Sequence, residues 1–338
     1  MKKSVFLGVV GAAGLAAASA SASTLEDVKA RGELNCGVNT GLVGFAAPDA
    51  NNNWQGFDVE LCRAVAVAVL GDADAVKYVP LTGKTRFTAL AAGEIDMLSR
   101  NTTWTFSRDV DLKFEFVGIN YYDGQGFIAP RDLGVTSAKD LDGATVCIQT
   151  GTTTELNLAD FFRSNNMSYD PVPIETNAEA LQQYNAGACD VYTTDASGLA
   201  ASRATFEDPS AHVIFPEIIS KEPLGPLVRH GDHDWGDIVR WTLNALISAE
   251  ELGVTSTNVA ELANGTDNPE INRLLGTEGG LGAMLGLEAD WAKNVIATTG
   301  NYGEIFERHI GENTPIGLAR GLNAQWTDGG LMYSPPFR

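Results

Sequence analysis

Two stretches of this chain repeat one local design. Phe87-Thr88-Ala89-Leu90-Ala91-Ala92-Gly93-Glu94-Ile95-Asp96-Met97-Leu98 reads as a helix, a glycine turn and a strand. Leu181-Gln182-Gln183-Tyr184-Asn185-Ala186-Gly187-Ala188-Cys189-Asp190-Val191-Tyr192 reads the same way, with Ala-Gly-x-x-Asp in both. Gly93 and Gly187 fall where a helix ends in the left-handed region, a conformation open to glycine at little cost. Elsewhere short strand runs alternate with helix patterns, which predicts an α/β fold with mainly parallel strands. At 338 residues the chain is too long for one ordinary core, and the echo predicts two lobes of similar build. Each echo runs on into polar residues, Ser99-Arg100-Asn101-Thr102-Thr103 in one and Thr193-Thr194-Asp195 in the other. Ligands of open α/β sheets sit beyond the carboxyl ends of the strands, so both lobes would offer polar groups to a common cleft.

The first 22 residues read differently. Met1-Lys2-Lys3 is followed by the apolar run Val5 to Ala18 and the small residues Ala18-Ser19-Ala20-Ser21-Ala22. This is the pattern of a cleaved secretory signal, cut after Ala22 or, as the neighbouring choice, after Ala20. The apolar run is shorter than the ~20 residues of a membrane span, and no later stretch reaches that length. No cysteine stands at the junction to carry a lipid, so a soluble exported protein is expected. Losing Lys2 and Lys3, with no acidic residue, takes the net charge from −20 to −22. Such acidity argues against nucleic acid or an anionic membrane surface as partner and reads as solubility.

Cys36, Cys62, Cys147 and Cys189 allow three pairings, and export favours disulfides over free thiols. Cys36 lies in strand-like Leu34-Asn35-Cys36-Gly37-Val38, and Cys62 lies on the helix pattern that should pack against it. Cys147 and Cys189 lie in two strand-like segments. The expected pairs are therefore Cys36–Cys62 and Cys147–Cys189, on topology. With no Cys-x-x-Cys spacing and four scattered histidines, neither a metal nor a cofactor is expected.

In Gly56-Phe57-Asp58-Val59-Glu60-Leu61-Cys62-Arg63-Ala64-Val65-Ala66, the spacing of Val59, Cys62, Ala66 and Val69 predicts a helix, with Asp58 as its cap. The segment resembles the signature of family 3 periplasmic solute-binding proteins, the polar-amino-acid receptors of ABC importers. Leu98 to Thr105 and the ending from Gly321-Leu322-Asn323-Ala324-Gln325-Trp326 to Pro336 resemble the general L-amino-acid-binding subgroup, and the likeness covers essentially the whole exported chain. It implies the type II two-lobed fold, with mainly parallel sheets flanked by helices and two hinge strands within Tyr121–Ala129 and Lys221–Arg229. Residues 1–22 would be the signal, 23–126 plus 227–338 a discontinuous first lobe with a C-terminal extension, and 127–226 the second lobe. Ile238 to Leu252 reads as an amphipathic helix, whereas Gly276 to Arg338 carries no periodicity that assigns it.

The resemblance also implies a site. Arg108, five residues after Thr103, matches the arginine that forks onto the ligand α-carboxylate. Asn101 matches a main-chain carbonyl contact and Thr103 a contact through hydroxyl and N–H. In Gln149-Thr150-Gly151-Thr152-Thr153-Thr154-Glu155, a glycine turn opens a helix whose start suits an anion, and Thr152 and Thr153 match carboxylate ligands. Thr152 and Glu155 also read as an ordinary capping box. Asp195 matches the acidic residue for the α-ammonium, against the plainer reading that it caps the next helix. Arg86 matches a position that takes a side-chain carboxylate. Asn39 and Asn177 stand where glutamate- and aspartate-selective relatives carry Arg and His, and amides there broaden the expected set to glutamate, glutamine, aspartate and asparagine. Phe45 and Trp54 read equally as pocket or core, and Lys84 as exposed.

The implied function is a monomeric periplasmic receptor that closes on an L-amino acid and delivers it to inner-membrane ABC permease subunits driven by a cytoplasmic ATPase. The alternatives are a cyclohexadienyl-type dehydratase of the same fold or a ligand sensor for a receptor. A dehydratase needs a general acid or base near the leaving hydroxyl. None of His212, His230, His233 and His309 lies in a matched ligand segment, and Gly-x-Ser-x-Gly is absent, so no enzyme is expected.

Overall fold

A computed structural model describes residues 23–338, and the expected signal segment lies outside the described residues. Two five-stranded sheets share one plan. The first has the order Val76–Leu81, Leu34–Asn39, Met97–Leu98, Leu227–Arg229, Phe114–Phe116. The second has the order Tyr169–Ile174, Ala144–Gln149, Val191–Asp195, Gln125–Pro130, His212–Ile214. In each the first three strands run parallel and the remaining pairings are antiparallel. A short antiparallel pair, Tyr121–Asp123 against Glu222–Leu224, links the two sheets, with Glu222 opposite Asp123.

Parallel strands buried on both faces need helical cover, and the chain supplies it. Helix Phe57–Leu70 buries ten side chains, and helices His233–Glu251, Trp291–Thr299 and Tyr302–His309 close the same core. The amphipathic helix is thus longer at its start than its periodicity indicated, because Asp232 caps it by accepting from Trp235 N–H. The second sheet is covered on both faces by smaller clusters, one around Phe127 and Phe162 and the other around Tyr184 and Tyr192. Gly93 and Gly187 both sit at positive φ, 75° and 70°, in their expected turns. Cys36–Cys62 ties the first strand to its helix, and Cys147–Cys189 ties a strand of the second sheet to the turn leading into the next, with Cα separations of 6.1 and 5.6 Å.

The helix cap differs from expectation. Gly56, not Asp58, occupies the N-cap, and a Cβ there would lie 2.3 Å from the Phe45 carbonyl oxygen. The first helical N–H groups donate to backbone carbonyls, Phe57 to Gly44 at 2.8 Å and Asp58 to Phe45 at 2.9 Å. Those donors are satisfied from outside the helix, so the Asp58 carboxylate is free to act elsewhere. It is buried and accepts the Asn101 N–H at 3.0 Å.

The C-terminal residues beyond His309 form two short 3-10 turns and isolated bridges instead of long elements. They are held by side chains. Arg320 forks onto Glu250 at 2.7 and 3.0 Å, and Gln325 Nε2 donates to Glu250 and to Ile247 O.

Candidate functional site

The carboxyl ends of the parallel strands of both sheets converge on one cavity. From the first sheet come Arg86, just after Val76–Leu81, and Arg100, Asn101 and Thr103, just after Met97–Leu98. From the second come Gln149 and Thr152 to Thr154 around the start of helix Thr153–Ser164, and Thr194 and Asp195 at the end of Val191–Asp195. Six expected residues line this cavity, namely Arg86, Asn101, Thr103, Thr152, Thr153 and Asp195. Arg108, Asn39 and Asn177 are buried beside it without lining it. Phe45 is core, and Trp54 packs against Tyr78, so neither reaches the cavity.

Each neighbour has a definite task. Arg108 Nη1 donates to the Thr103 carbonyl at 2.8 Å, and its guanidinium lies 5.1 Å over the Phe87 ring. Asn39 Nδ2 donates to Asn101 Oδ1 at 3.0 Å, so this amide holds the loop that carries Asn101. Asn177 begins the helix Asn177–Asn185 and is buried against the second sheet. Thr152 caps its helix by accepting from Glu155 N–H at 3.2 Å and donates to Gln149 O at 2.6 Å. Glu155 does not return to the Thr152 N–H; it accepts from Gly151 N–H at 2.9 Å. Asp195 occupies an N-cap position but makes no side-chain cap bond, which leaves its carboxylate for the cavity.

The two lobes meet across the cavity. Thr103 Oγ1 and Thr153 Oγ1 are 3.2 Å apart, and Lys84 Nζ reaches Glu175 at 2.9 Å at the rim. Between them stands Glu222 of the linking strand, 1 % exposed. One of its oxygens accepts from Thr103 and, at 2.8 Å, from Thr153; the other accepts from Asn157 and Ser220, both at 2.7 Å. A single carboxylate on the linker thus gathers hydroxyls from both lobes.

Charge is concentrated and sorted here. Burial raises the Asp195 carboxyl well above its ordinary value, and the neighbouring Asp123 and Glu222 add to that, against the pull of Asn101 and Arg86. Burial pushes Arg108 and Arg100 down to about 10, so both remain cations at neutral pH. Such a cavity offers arginine cations from the first lobe and hydroxyls, a helix start and the acidic group of Asp195 from the second, the complement of a zwitterion. Among the described residues no group of His, Cys, Asp and Glu is arranged to hold a metal ion.

The sequence places Arg100 and Thr194 among the polar residues offered to the cleft but gives neither them nor Gln149 and Thr154 a ligand contact, and all four line the cavity. The rule that ligands gather at strand carboxyl ends pointed to all four, since each lies within a few residues of such an end. The sequence places Glu222 only within a hinge segment.

Two similar α/β lobes, a two-stranded linker and a charged cavity between them define a two-lobed solute-binding protein. Residues 34–257 match the bacterial extracellular solute-binding proteins, family 3, and the chain belongs to that family. It is 67% identical over 338 residues to the glutamate/glutamine/aspartate/asparagine-binding protein BztA of Rhodobacter capsulatus, covering 100% of both chains. It is 58% identical over 342 residues to the general L-amino acid-binding periplasmic protein AapJ of Rhizobium johnstonii, again covering 100% of each. A solved structure of an ABC transporter periplasmic binding protein from Brucella ovis with glutathione bound is 56% identical, with a TM-score of 0.92 over 94% of this chain and 100% of that one. These relatives are named as binding proteins, and this chain is a binding protein of the same family. No described helix is long and apolar enough to cross a membrane.

Proposed function

We propose that this protein is the periplasmic receptor of an ABC importer for polar L-amino acids, with glutamate, glutamine, aspartate and asparagine as the favoured set. The observation that carries the reading is the cavity itself, where Arg86, Asn101 and Thr103 of the first lobe face the Thr152–Thr153 helix start and Asp195 of the second. In this reading the α-carboxylate meets Thr103, the N–H groups at Thr152 and Thr153 and, from beside the cavity, the guanidinium nitrogens of Arg108 that do not hold the Thr103 carbonyl, while the α-ammonium meets Asp195 and the Asn101 carbonyl. Arg86 faces the side chain, and Asn39 acts through Asn101. Asn177 shapes the second lobe behind the cavity. Residues 1–22 direct export and are removed. Lobe one comprises 23–126 plus 227–338, lobe two comprises 127–226, and they close about the linking strands. The closed monomer hands its ligand to inner-membrane permease subunits coupled to a cytoplasmic ATPase. The names of the R. capsulatus and R. johnstonii relatives support the ligand class.

Calorimetric titration of ligand-stripped protein with each standard L-amino acid tests this. Glutathione joins the series because the B. ovis relative holds it and its γ-glutamyl end carries a free amino-acid head. Dissociation constants at or below about 1 μM, some −8 kcal/mol, are expected for the favoured four. Arg108→Ala should abolish binding of all of them. Absence of heat with every amino acid would overturn the reading.

A further inference from the structure

Arg100 is 2 % exposed and lines the cleft cavity. Its Nε donates to the Leu81 carbonyl at 2.9 Å, but its Nη2 is buried without an acceptor among the described residues. Arg86, also 2 % exposed and on the same lobe, repeats the situation. Its Nη1 donates to Thr102 Oγ1 at 3.1 Å, and its Nε has no acceptor among the described residues. A buried donor left unmatched is costly, and more so on a charged group. Two such donors on guanidiniums of one cavity wall mark a place for an acceptor that the chain does not supply.

We propose that Arg100 is a specificity-determining residue whose Nη2, together with Arg86 Nε, receives a side-chain oxygen of the bound amino acid. This rests on the amino-acid reading above. The surrounding charges fit it. Arg108 interacts with Glu222 and Asp195, and Asp195 is taken by the ligand ammonium in that reading. Arg100 has Asp58 as its main acidic neighbour, but one Asp58 oxygen already accepts the Asn101 N–H. Arg86 has Asp195 and Glu222 as its acidic neighbours; that reading gives Asp195 to the ligand ammonium, and Glu222 already accepts hydroxyls from both lobes. Carboxylate and carboxamide oxygens both accept hydrogen bonds, so the pair selects for a side-chain oxygen while tolerating acid or amide. A site built around buried donors rejects an analogue that lacks the acceptor far more strongly than an apolar pocket rejects a missing methylene.

The test is calorimetry with glutamate, glutamine and alanine on wild-type protein, Arg100→Met and Arg100→Lys. Wild-type protein should prefer glutamate to alanine by about 100-fold or more. Arg100→Met should lose about 30-fold or more on glutamate and glutamine while alanine, read by competition, changes less than about threefold. Arg100→Lys should fall between, since it keeps charge without the fork. Equal losses on glutamate and alanine would mean that Arg100 only holds Leu81, and unchanged glutamate affinity would mean that it meets no ligand; either overturns the proposal. If Arg100→Met fails to fold, Arg100→Lys decides, with a loss of about fivefold or more on glutamate alone expected. Wild-type protein that binds none of the three would instead overturn the amino-acid reading.

Discussion

Asn323 pairs with Tyr122 as a neighbouring strand would. Its Oδ1 accepts the Tyr122 N–H at 2.7 Å, and its Nδ2 donates to the Tyr122 carbonyl at 3.1 Å. Tyr122 is the middle residue of a linking strand whose other edge pairs with Glu222–Leu224. The C-terminal segment therefore completes the hydrogen bonding of the linker from its open side. Arg320, Gln325 and Glu250 anchor that segment to helix His233–Glu251, so the linker is strapped to the first lobe.

Asn323→Ala should leave both backbone groups of Tyr122 without that partner in a setting where Asn323 is 3 % exposed. Losing a buried partner costs about 1–3 kcal/mol per group, partly offset where water reaches Tyr122. A net loss of about 2 kcal/mol corresponds to a fall of roughly 3 °C in Tm for a chain of this size. Differential scanning calorimetry of ligand-free protein reads it. An unchanged Tm would mean that the strap contributes nothing to the folded state.

Asp58 supplies a pH dependence. Burial pushes its carboxyl up to about 6, against the opposing pulls of Asn101, Asn120 and Arg100. A carboxyl raised in the folded state prefers to be neutral there. Its contribution to stability is full below the unfolded value of about 3.9 and is lost as pH rises through about 6. Asp58→Asn does not ionise, and its amide oxygen can still accept the Asn101 N–H. The stability of the variant relative to wild-type protein should therefore rise between pH 4 and pH 7, by up to roughly 3 kcal/mol. Denaturant melts at a series of pH values measure the difference, and a gap that stays constant with pH refutes it.

The residue that misled the sequence reading is this same Asp58. A carboxylate two residues into a helix pattern looks like a cap, because side-chain caps are local and visible in sequence. Here the carbonyls of Gly44 and Phe45, brought back by a loop, do the capping. The turns at Gly93 and Gly187, the Thr152 cap and both cysteine pairs were legible because backbone conformation and nearest elements decide them. The role of Glu222 was not, since it depends on what the linker and both lobes place beside it, and Arg100 was legible only as a polar residue at a strand end. Within the stretch from Gly276 to Arg338 that the sequence leaves unassigned, Trp291–Thr299 and Tyr302–His309 are regular helices, whereas from Gly311 onward side-chain to backbone bonds hold the tail instead of a long regular element.

Lys84 and Glu175 bridge the lobes at 2.9 Å, yet their side chains are 52% and 59% exposed. Exposed ion pairs contribute about 0–1 kcal/mol and are screened by salt. Lys84→Ala should accordingly weaken glutamate binding by less than about fivefold, with the difference shrinking further in high salt. A loss of two orders of magnitude in the same titration would mean that this rim contact controls closure.

Gly83, one residue earlier, should matter more than Lys84 despite having no side chain. A Cβ built there would lie 2.8 Å from the Thr150 carbonyl oxygen and 3.2 Å from Thr152 Cγ2, both on the opposite lobe. The first contact is too short for a real Cβ, and a backbone carbonyl at the mouth of a helix cannot swing aside as a flexible side chain would. The obstacle exists only while the lobes are together. Gly83→Ala should leave the Tm of ligand-free, open protein within about 2 °C of wild type, since surface changes away from such contacts cost little. It should weaken amino-acid binding by about tenfold or more, because a ligand that holds the lobes shut must then overcome the clash. Titration of wild-type and Gly83→Ala protein with one ligand reads this directly. Equal affinities would show that the lobes bind ligand without approaching as closely as Thr103 and Thr153 do here.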